Sequence, residues 1–141
     1  MNLQLFFKAP PKIDGLHESA LGNSIKQLND PGLDITKTDI AIVGLTDNRG
    51  TRVNVGVSGA ADRIREKFYR LKRSSNTYRL ADLGNLQNGE NHEDTAERLR
   101  EICEHLLAAK VIPIIIGGTH DFALPQYLAY ESKKDLISVL N

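Results

Sequence analysis

The sequence predicts an α/β fold, a three-layer α/β/α sandwich built around a mainly parallel sheet. Short apolar runs rich in β-branched residues occur near positions 40, 113 and 138, as in strands that are buried on both faces. Amphipathic helical segments alternate with these runs, which is typical of βαβ units. Because the printed chain stops within the third run, we expect the domain to be incomplete.

Composition excludes several classes of protein. The 141 residues carry 18 basic and 18 acidic side chains, so the chain lacks the basic excess of proteins that bind nucleic acid or anionic membranes. No apolar run approaches the roughly 18 residues of a membrane span. A single cysteine, Cys103, excludes an internal disulfide. With no signal-peptide pattern at the N-terminus, we expect a cytoplasmic protein with neither nucleic acid nor membrane as a partner.

Residues 1–38 form the expected N-terminal arm, and residues 39–141 form the α/β domain. The arm is rich in turn-forming residues, namely Pro10, Pro11, Gly15, Gly22, Pro31 and Gly32. An amphipathic stretch over 21–28 predicts one short helix within it.

The first strand and helix of the domain are clear in the pattern. Residues 39–45 are almost entirely apolar and predict a buried strand. A polar loop over 46–58 leads to a helix predicted over 59–73, with Ser58 as its N-cap. Four residues at helical spacing define the expected apolar face of this helix, namely Ala60, Ile64, Phe68 and Leu71.

The second and third units repeat this plan. A short strand is predicted over 78–84 and a helix over 93–110, with Cys103 on its apolar face as a buried, unreactive thiol. A strand over 111–116 is apolar throughout, so we expect it to be central in the sheet. A third helix is predicted from Asp121 or Phe122 to Ser132, and a further strand begins at Leu136.

The segment after the 111–116 strand is the strongest candidate site. Ligands of open α/β sheets bind at the carboxyl ends of the strands, where Gly117 and Gly118 allow a sharp turn and close approach to a ligand. His120 can then point into the crevice. Asp121 can orient an imidazole, act as a ligand or cap the next helix. The alternative is that His120 is a loop residue bonded to backbone, since one histidine does not make a metal site.

Three segments resemble the ureohydrolase family, which includes arginase, agmatinase and formimidoylglutamase. Residues 116–121 resemble its Gly-Gly-Asp-His-Ser motif, and residues 82–86 resemble its Asp-x-Gly-Asp segment. Residues 47–60, which include Asn54, look like the loop Asp-x-Gly-x-x-x-Asn-x-Gly-Arg-x-Gly-Ala of the formimidoylglutamase branch. The sequence departs from these patterns at Thr119, Asp121 and Val57, where the family has aspartate, serine and arginine.

The resemblance implies a metal-dependent hydrolase of a small guanidino or formimidoyl substrate. In that family the histidine matched by His120 is a ligand of a two-manganese centre. Gly117, Gly118, Thr119, Asp121 and Asn54 would line the pocket. The family's next motif, Asp-x-His-x-Asp, would follow the strand that begins at Leu136. We therefore expect the printed chain to be the N-terminal part of such an enzyme, inactive alone and with manganese absent or weakly bound.

Two other functions fit the same residues. A catalytically inactive relative could keep the fold and serve as a binding or assembly subunit. The chain could also form a homo-oligomer. An unrelated nucleotide-binding domain could hold phosphate with Gly117 and Gly118 at a helix N-terminus. The nucleotide hypothesis is weaker, because no Gly-x-Gly-x-x-Gly or Gly-x-x-x-x-Gly-Lys pattern occurs.

Overall fold

The computed structural model describes residues 2–51, 53, 55–75, 78–133 and 137–140. Strands β1 to β5 are, in order, Phe7–Lys8, Lys26–Gln27, Ile40–Leu45, Leu80–Leu86 and Ile112–Gly117. Helices α1 to α3 are Ala60–Arg70, His92–Ala108 and Ala123–Glu131. Short 3-10 helices lie at Leu3–Leu5, Leu21–Ser24, Ile35–Lys37, Val55–Gly59 and His120–Phe122.

The sheet is mixed but mostly parallel, which confirms the predicted fold class. β3 lies between β4 and β5 and is parallel to both. β2 pairs in parallel with β4, and β1 is the one antiparallel strand of the described sheet. Helices flank this sheet, with α1 packed against β3 and β5 and with α2 packed against α3 and β5.

The core forms where β3 and β4 meet helix α2. Apolar residues of both strands are fully buried, and the predicted apolar face of α2 covers them with Leu99, Ile102, Cys103 and Leu106. Burial raises the pKa of the Cys103 thiol to about 12. Cys103 is therefore buried as predicted, and its slow reaction with thiol reagents remains a prediction. No helix among the described residues is both long and apolar enough to cross a membrane.

Helix α1 turns a different face inward from the one predicted. Its buried residues are Ala61, Arg65 and Tyr69, whereas Ile64 is 44% exposed. The inward face is shifted by one residue because Arg65 is buried against β4, where it forms an ion pair with Asp82. Ser58 is also not the N-cap: the preceding 3-10 helix includes it, and α1 begins after Gly59 without a side-chain cap.

The prediction that the 111–116 strand is central was wrong. β5 pairs only with β3 in the described structure, and Ile112 and Ile114 are 55% and 41% exposed. An apolar run predicts a strand but does not specify its place in the sheet. The strand predicted from Leu136 is likewise absent over the described residues 137–140, where no neighbouring strand pairs with the chain. Leu136 itself lies outside the described residues.

The N-terminal arm contributes to the sheet rather than forming the predicted short helix. Within the stretch 21–28 predicted to be helical, the helical part is Leu21–Ser24, which is a 3-10 turn. The chain then extends into β2, where Lys26 lies opposite Ala81 of β4. Pairing with the edge of β4 outweighs the weak helical pattern of this stretch, as tertiary contacts commonly do.

Candidate functional site

Two loops lie side by side at the carboxyl end of the sheet. Leu45 at the end of β3 is in register with Gly117 at the end of β5, so the segments that follow them are neighbours. Gly117 and Gly118 have φ values of 78° and 73°, in the left-handed region that favours glycine. A Cβ atom on Gly117 would lie 2.6 Å from the Leu45 carbonyl oxygen. Both glycines are therefore required for the turn that carries His120.

His120 is exposed at this turn and lines a cavity of about 270 Å³. The same cavity is lined by Gly50, Thr51, Val57, Gly118, Thr119 and Asp121. Within the described part of the chain, the His120 imidazole makes no hydrogen bond or ion pair. The alternative of a loop histidine bonded to backbone is thus not what these residues show, and the ring is free to meet a ligand.

Asp121 is held beside His120 by a histidine from another element. Its carboxylate contacts Nε2 of His92, the first residue of α2. Helix α3 starts at Ala123 without a side-chain cap, so Asp121 is not its N-cap. A Cβ atom on Gly50 would lie 2.6 Å from both Asp121 Oδ1 and Thr119 Oγ1. The loop after β3 therefore packs directly on the Gly-Gly-Thr-His-Asp segment.

An aspartate–arginine clamp fixes the loop after β3. The Asp47 carboxylate is buried and accepts hydrogen bonds from Arg49 Nε at 3.0 Å, Arg49 Nη2 at 2.6 Å and the Arg49 backbone N–H at 2.9 Å. Arg49 also donates to the Glu90 carbonyl at 2.8 Å and to Thr95 Oγ1 at 3.0 Å. The clamp thus joins the loop after β3 to the loop that precedes α2.

His92 lies between the two acidic side chains. Its Nδ1 atom is 3.5 Å from Asp47 Oδ1, while Nε2 contacts Asp121. The ring packs against Phe122, with ring centroids 4.7 Å apart. Among the described residues, His92 Nδ1 and Thr119 Oγ1 are the two buried side-chain polar atoms without a hydrogen-bond partner. This cluster therefore keeps unused hydrogen-bonding capacity beside the cavity.

Charge pairing shifts the pKa values of the cluster. Burial raises the pKa of Asp47, but hydrogen bonds from Arg49 outweigh it, so the net pKa lies well below its usual range. Burial works against protonation of His92, but contacts with Asp121 and Asp47 raise its pKa overall. Burial likewise opposes ionisation of Asp121, yet Thr119 and His92 lower its pKa. The balance favours ionised carboxylates around the histidine.

The described residues supply one ligand that fits a metal site. His120 offers a free imidazole at the cavity, which is a suitable donor for a divalent transition metal. The Asp121 carboxylate beside it is already engaged by His92. No group of three or more His, Cys, Asp or Glu side chains in the described ranges is placed to hold a metal ion. A complete centre would need donors in addition to those of the described residues.

Sequence reasoning located half of this site. Five predicted residues lie together at the carboxyl end, namely Gly117, Gly118, Thr119, His120 and Asp121. The predicted pocket residue Asn54 lies outside the described residues. Asp47 was recognised only as the start of a loop, and His92 and Arg49 were missed. One signal was available: residues 87–92 follow β4 directly, and the rule for carboxyl ends applies to β4 as it does to β5.

Comparison with known proteins gives one consistent family. The family model described as "Arginase family" matches residues 38–141. A formimidoylglutamase of Staphylococcus haemolyticus is 30% identical over 97 residues, which cover 66% of this chain and 31% of that protein. The mitochondrial guanidino acid hydrolase of Rattus norvegicus is 32% identical over 96 residues, covering 62% of this chain and 27% of that protein.

Solved structures agree on the fold. A formiminoglutamase variant of Trypanosoma cruzi with Mn²⁺ matches with a TM-score of 0.63 and 25% identity, over 70% of this chain and 36% of that one. The agmatine ureohydrolase of Thermoplasma volcanium matches with a TM-score of 0.61 and 18% identity, over 81% and 39% of the two chains. The chain spans about a third of the length of these relatives. Because the family model covers residues 38–141, the chain belongs to the arginase family.

Proposed function

We propose that this chain is the N-terminal part of a manganese-dependent ureohydrolase-type enzyme, which hydrolyses a C–N bond of a guanidino or formimidoyl substrate. The observation that carries the proposal is the free imidazole of His120, exposed on a cavity at the carboxyl end of a parallel sheet. Relatives named formimidoylglutamase, guanidino acid hydrolase and agmatine ureohydrolase support the substrate class.

In this proposal His120 contributes one metal ligand. The metal centre, when bound, supplies a water of lowered pKa as the nucleophile for hydrolysis. Gly117 and Gly118 bring the backbone close to the cavity, and Thr119 and Asp121 belong to the pocket wall. The family resemblance implies the same role for Asn54, which lies outside the described residues. The Asp121 carboxylate is already paired with His92. Its role is therefore to fix the loop that carries His120 rather than to bind the metal.

The second candidate is a catalytically inactive relative that acts as a binding or assembly subunit. It is favoured by the residues at 119 and 121, where the resemblance leads us to expect aspartate and serine. In the structure Thr119 is mostly buried and Asp121 is tied to His92, so both side chains serve the packing of the loop. Such an exchange preserves the turn while altering the groups that surround a metal.

Manganese binding to the chain itself tests the role of His120. We expect weak binding, seen as paramagnetic broadening of the His120 ring signals in NMR spectra at low Mn²⁺ concentration. His120→Ala should abolish the broadening around the 118–122 loop. His17→Ala is the matched control, since His17 is an exposed histidine in the N-terminal arm. Broadening centred on His17 or unaffected by His120→Ala would exclude the proposed ligand.

Activity tests the wider proposal. The 141-residue chain alone should not turn over formimidoylglutamate, guanidino acids, agmatine or arginine in the presence of Mn²⁺. A longer chain that adds the Asp-x-His-x-Asp motif should hydrolyse one of these, and His120→Ala should reduce that activity with little loss of folding. A longer chain that binds Mn²⁺ at His120 yet hydrolyses none of them would favour the inactive relative.

A further inference from the structure

A large cavity lies at the opposite end of the sheet from His120. It has a volume of about 820 Å³, within the size range of pockets that hold small organic ligands. Lys26, Thr38 and Leu80 line it at or near the starts of β2, β3 and β4. We refer to this cavity as the amino-end groove. A six-residue strand separates it from the His120 cavity by roughly 20 Å, so one small ligand cannot reach both.

The amino-end groove is positively charged although the chain is neutral. Four cationic side chains line it against one carboxylate, that of Asp34; the four are Lys26, Lys37, Arg73 and Arg79. Such a local excess in a chain with no net charge attracts anions to this end of the molecule.

Only two of the four cations are neutralised within the described chain. Lys37 pairs with Asp34 at 3.3 Å, and Arg79 pairs with Asp39 at 2.6 Å. Hydrogen bonds from Arg79 lower the pKa of Asp39 to about 2, so this partner remains charged in neutral solution. Lys26 and Arg73 have no carboxylate partner among the described residues. They are the positive charges available to a ligand.

The rest of the groove is partly apolar and partly hydroxylic. Leu21, Leu33 and Leu80 supply apolar surface, and the Tyr78 hydroxyl group can donate a hydrogen bond. The Ser24 hydroxyl already donates to the Leu21 carbonyl at 2.7 Å, so it can only accept one from a ligand. A bare inorganic ion would use the cations but leave the apolar surface in water. An anionic head on an apolar body would use both, which is how small-molecule pockets combine affinity and orientation.

We propose that the amino-end groove binds a small organic anion, with a carboxylate or phosphate group between Lys26 and Arg73 and an apolar body against the leucines. Arginine suits this task because its planar fork matches both carboxylate and phosphate. Carboxylate and phosphate share this chemistry, and the experiment must distinguish them. The site is independent of the proposed hydrolase function, since none of its lining residues contributes to the His120 cavity.

Titration of the chain with four probes tests the proposal. The probes are phenyl phosphate, benzoate, inorganic phosphate and benzyl alcohol, and amide chemical shifts report where each one binds. We expect phenyl phosphate or benzoate to saturate shifts near Lys26, Arg73 and Tyr78, and the tighter of the two identifies the head group. Inorganic phosphate should bind about ten-fold more weakly, for lack of the apolar body, and benzyl alcohol should not saturate.

Charge variants locate the site. Lys26→Ala and Arg73→Ala should each weaken binding of the better probe by about ten-fold, the scale of one lost charge-assisted hydrogen bond. Arg63→Ala is the matched control, because Arg63 is an exposed arginine of α1 outside the groove. Equal weakening by Arg63→Ala, or shifts that do not saturate by about 10 mM probe, would overturn the proposal. So would saturable shifts confined to the His120 loop.

Discussion

Two charged clusters of this molecule are built from similar groups but differ in how fully their hydrogen-bonding groups are satisfied. The first, the buried cluster, joins Arg65 of α1 to Asp82 and Asn85 of β4. The second, the edge cluster, joins Asp47, Arg49, His92 and Asp121 around the loops at the carboxyl end. Each pairs an arginine with an aspartate through two side-chain nitrogens.

The buried cluster is fully satisfied. Arg65 is completely buried and donates to Asp82 at 2.8 and 3.0 Å, to Asn85 at 2.6 Å, to Asp62 at 3.0 Å and to the Gly84 carbonyl at 2.9 Å. These bonds use all the donors of a guanidinium group. Tyr69 adds a hydrogen bond to Asp82 at 2.9 Å. A network with no spare capacity and no solvent contact at Arg65 serves to hold α1 on β4.

The edge cluster is only partly satisfied. The His92 side chain is 20% exposed and that of Asp121 is 48% exposed, and His92 Nδ1 and Thr119 Oγ1 make no hydrogen bond of normal geometry to the described residues. Buried polar atoms without partners are costly to a protein, and one of the two residues, Thr119, also lines the His120 cavity. The two clusters therefore differ in kind: the buried cluster is fully hydrogen-bonded within the fold, whereas the edge cluster is partly exposed and borders the His120 cavity.

The largest expected effect is on the buried cluster. Arg65→Met leaves the Asp82 carboxylate buried and unpaired, and we expect a loss of about 3–5 kcal/mol in the free energy of unfolding. Urea denaturation followed by circular dichroism measures it. The matched control is Arg100→Met, because the ion pairs of Arg100 with Glu97 and Glu104 are partly exposed and worth about 0.5 kcal/mol each.

A second substitution checks the cause of this loss. Arg65→Met combined with Asp82→Leu removes both charges and should recover much of the stability, since apolar residues can replace a buried pair. Arg65→Met that costs no more than Arg100→Met would show that the buried cluster does not hold the fold. Failure of the double variant to recover would attribute the loss to packing rather than to the stranded carboxylate.

The same two clusters show which features a local pattern can predict. β3 and the inward face of α2 were predicted because the spacing of apolar residues close together in the sequence indicates which residues are buried. The inward face of α1 was not, because Arg65 is buried by a partner seventeen positions away, Asp82. Position within the sheet also depends on distant pairing, which is why β5 was wrongly expected to be central.

The candidate site divides in the same way. Gly117, Gly118 and His120 could be found because a strand, a turn and a polar residue follow one another directly in the sequence. His92 could not, since its importance comes from Asp47 and Asp121, which lie on two other loops. A histidine that begins a helix has no distinguishing feature until the sheet brings those loops together.

The next effect concerns the Asp47–Arg49 clamp. Asp47→Asn weakens hydrogen bonds to a charged partner, and we expect a loss of about 1–2 kcal/mol at neutral pH, with Arg49 partly exposed. The pKa of Asp47 is lower in the folded chain than its ordinary value of 3.8. Its contribution is therefore fully present above about pH 5 and is lost as pH falls below 3.8 towards the folded pKa.

Stability measured against pH tests this sign. Wild type and Asp47→Asn should differ most at neutral pH and converge as the solution becomes acidic. Asp14→Asn serves as the control, because Asp14 pairs with Lys12 on the surface and both side chains are at least 80% exposed. A difference between wild type and Asp47→Asn that stays constant down to acidic pH would show that the clamp does not depend on the charge of Asp47.

The smallest expected effect on stability belongs to His92. His92→Gln removes a partly exposed pair with Asp121, and such pairs contribute up to about 1 kcal/mol. The site should respond more than the fold does. Without its partner Asp121 can move. Because Gly50 packs against both this carboxylate and Thr119, amide signals of residues 47–51 and 118–122 should shift together. Signals of Asp82 and Gly84 in the buried cluster should stay in place. A loss of stability comparable to that of Arg65→Met, or shifts that extend along β4, would show that the edge cluster is as much a part of the framework as the buried one.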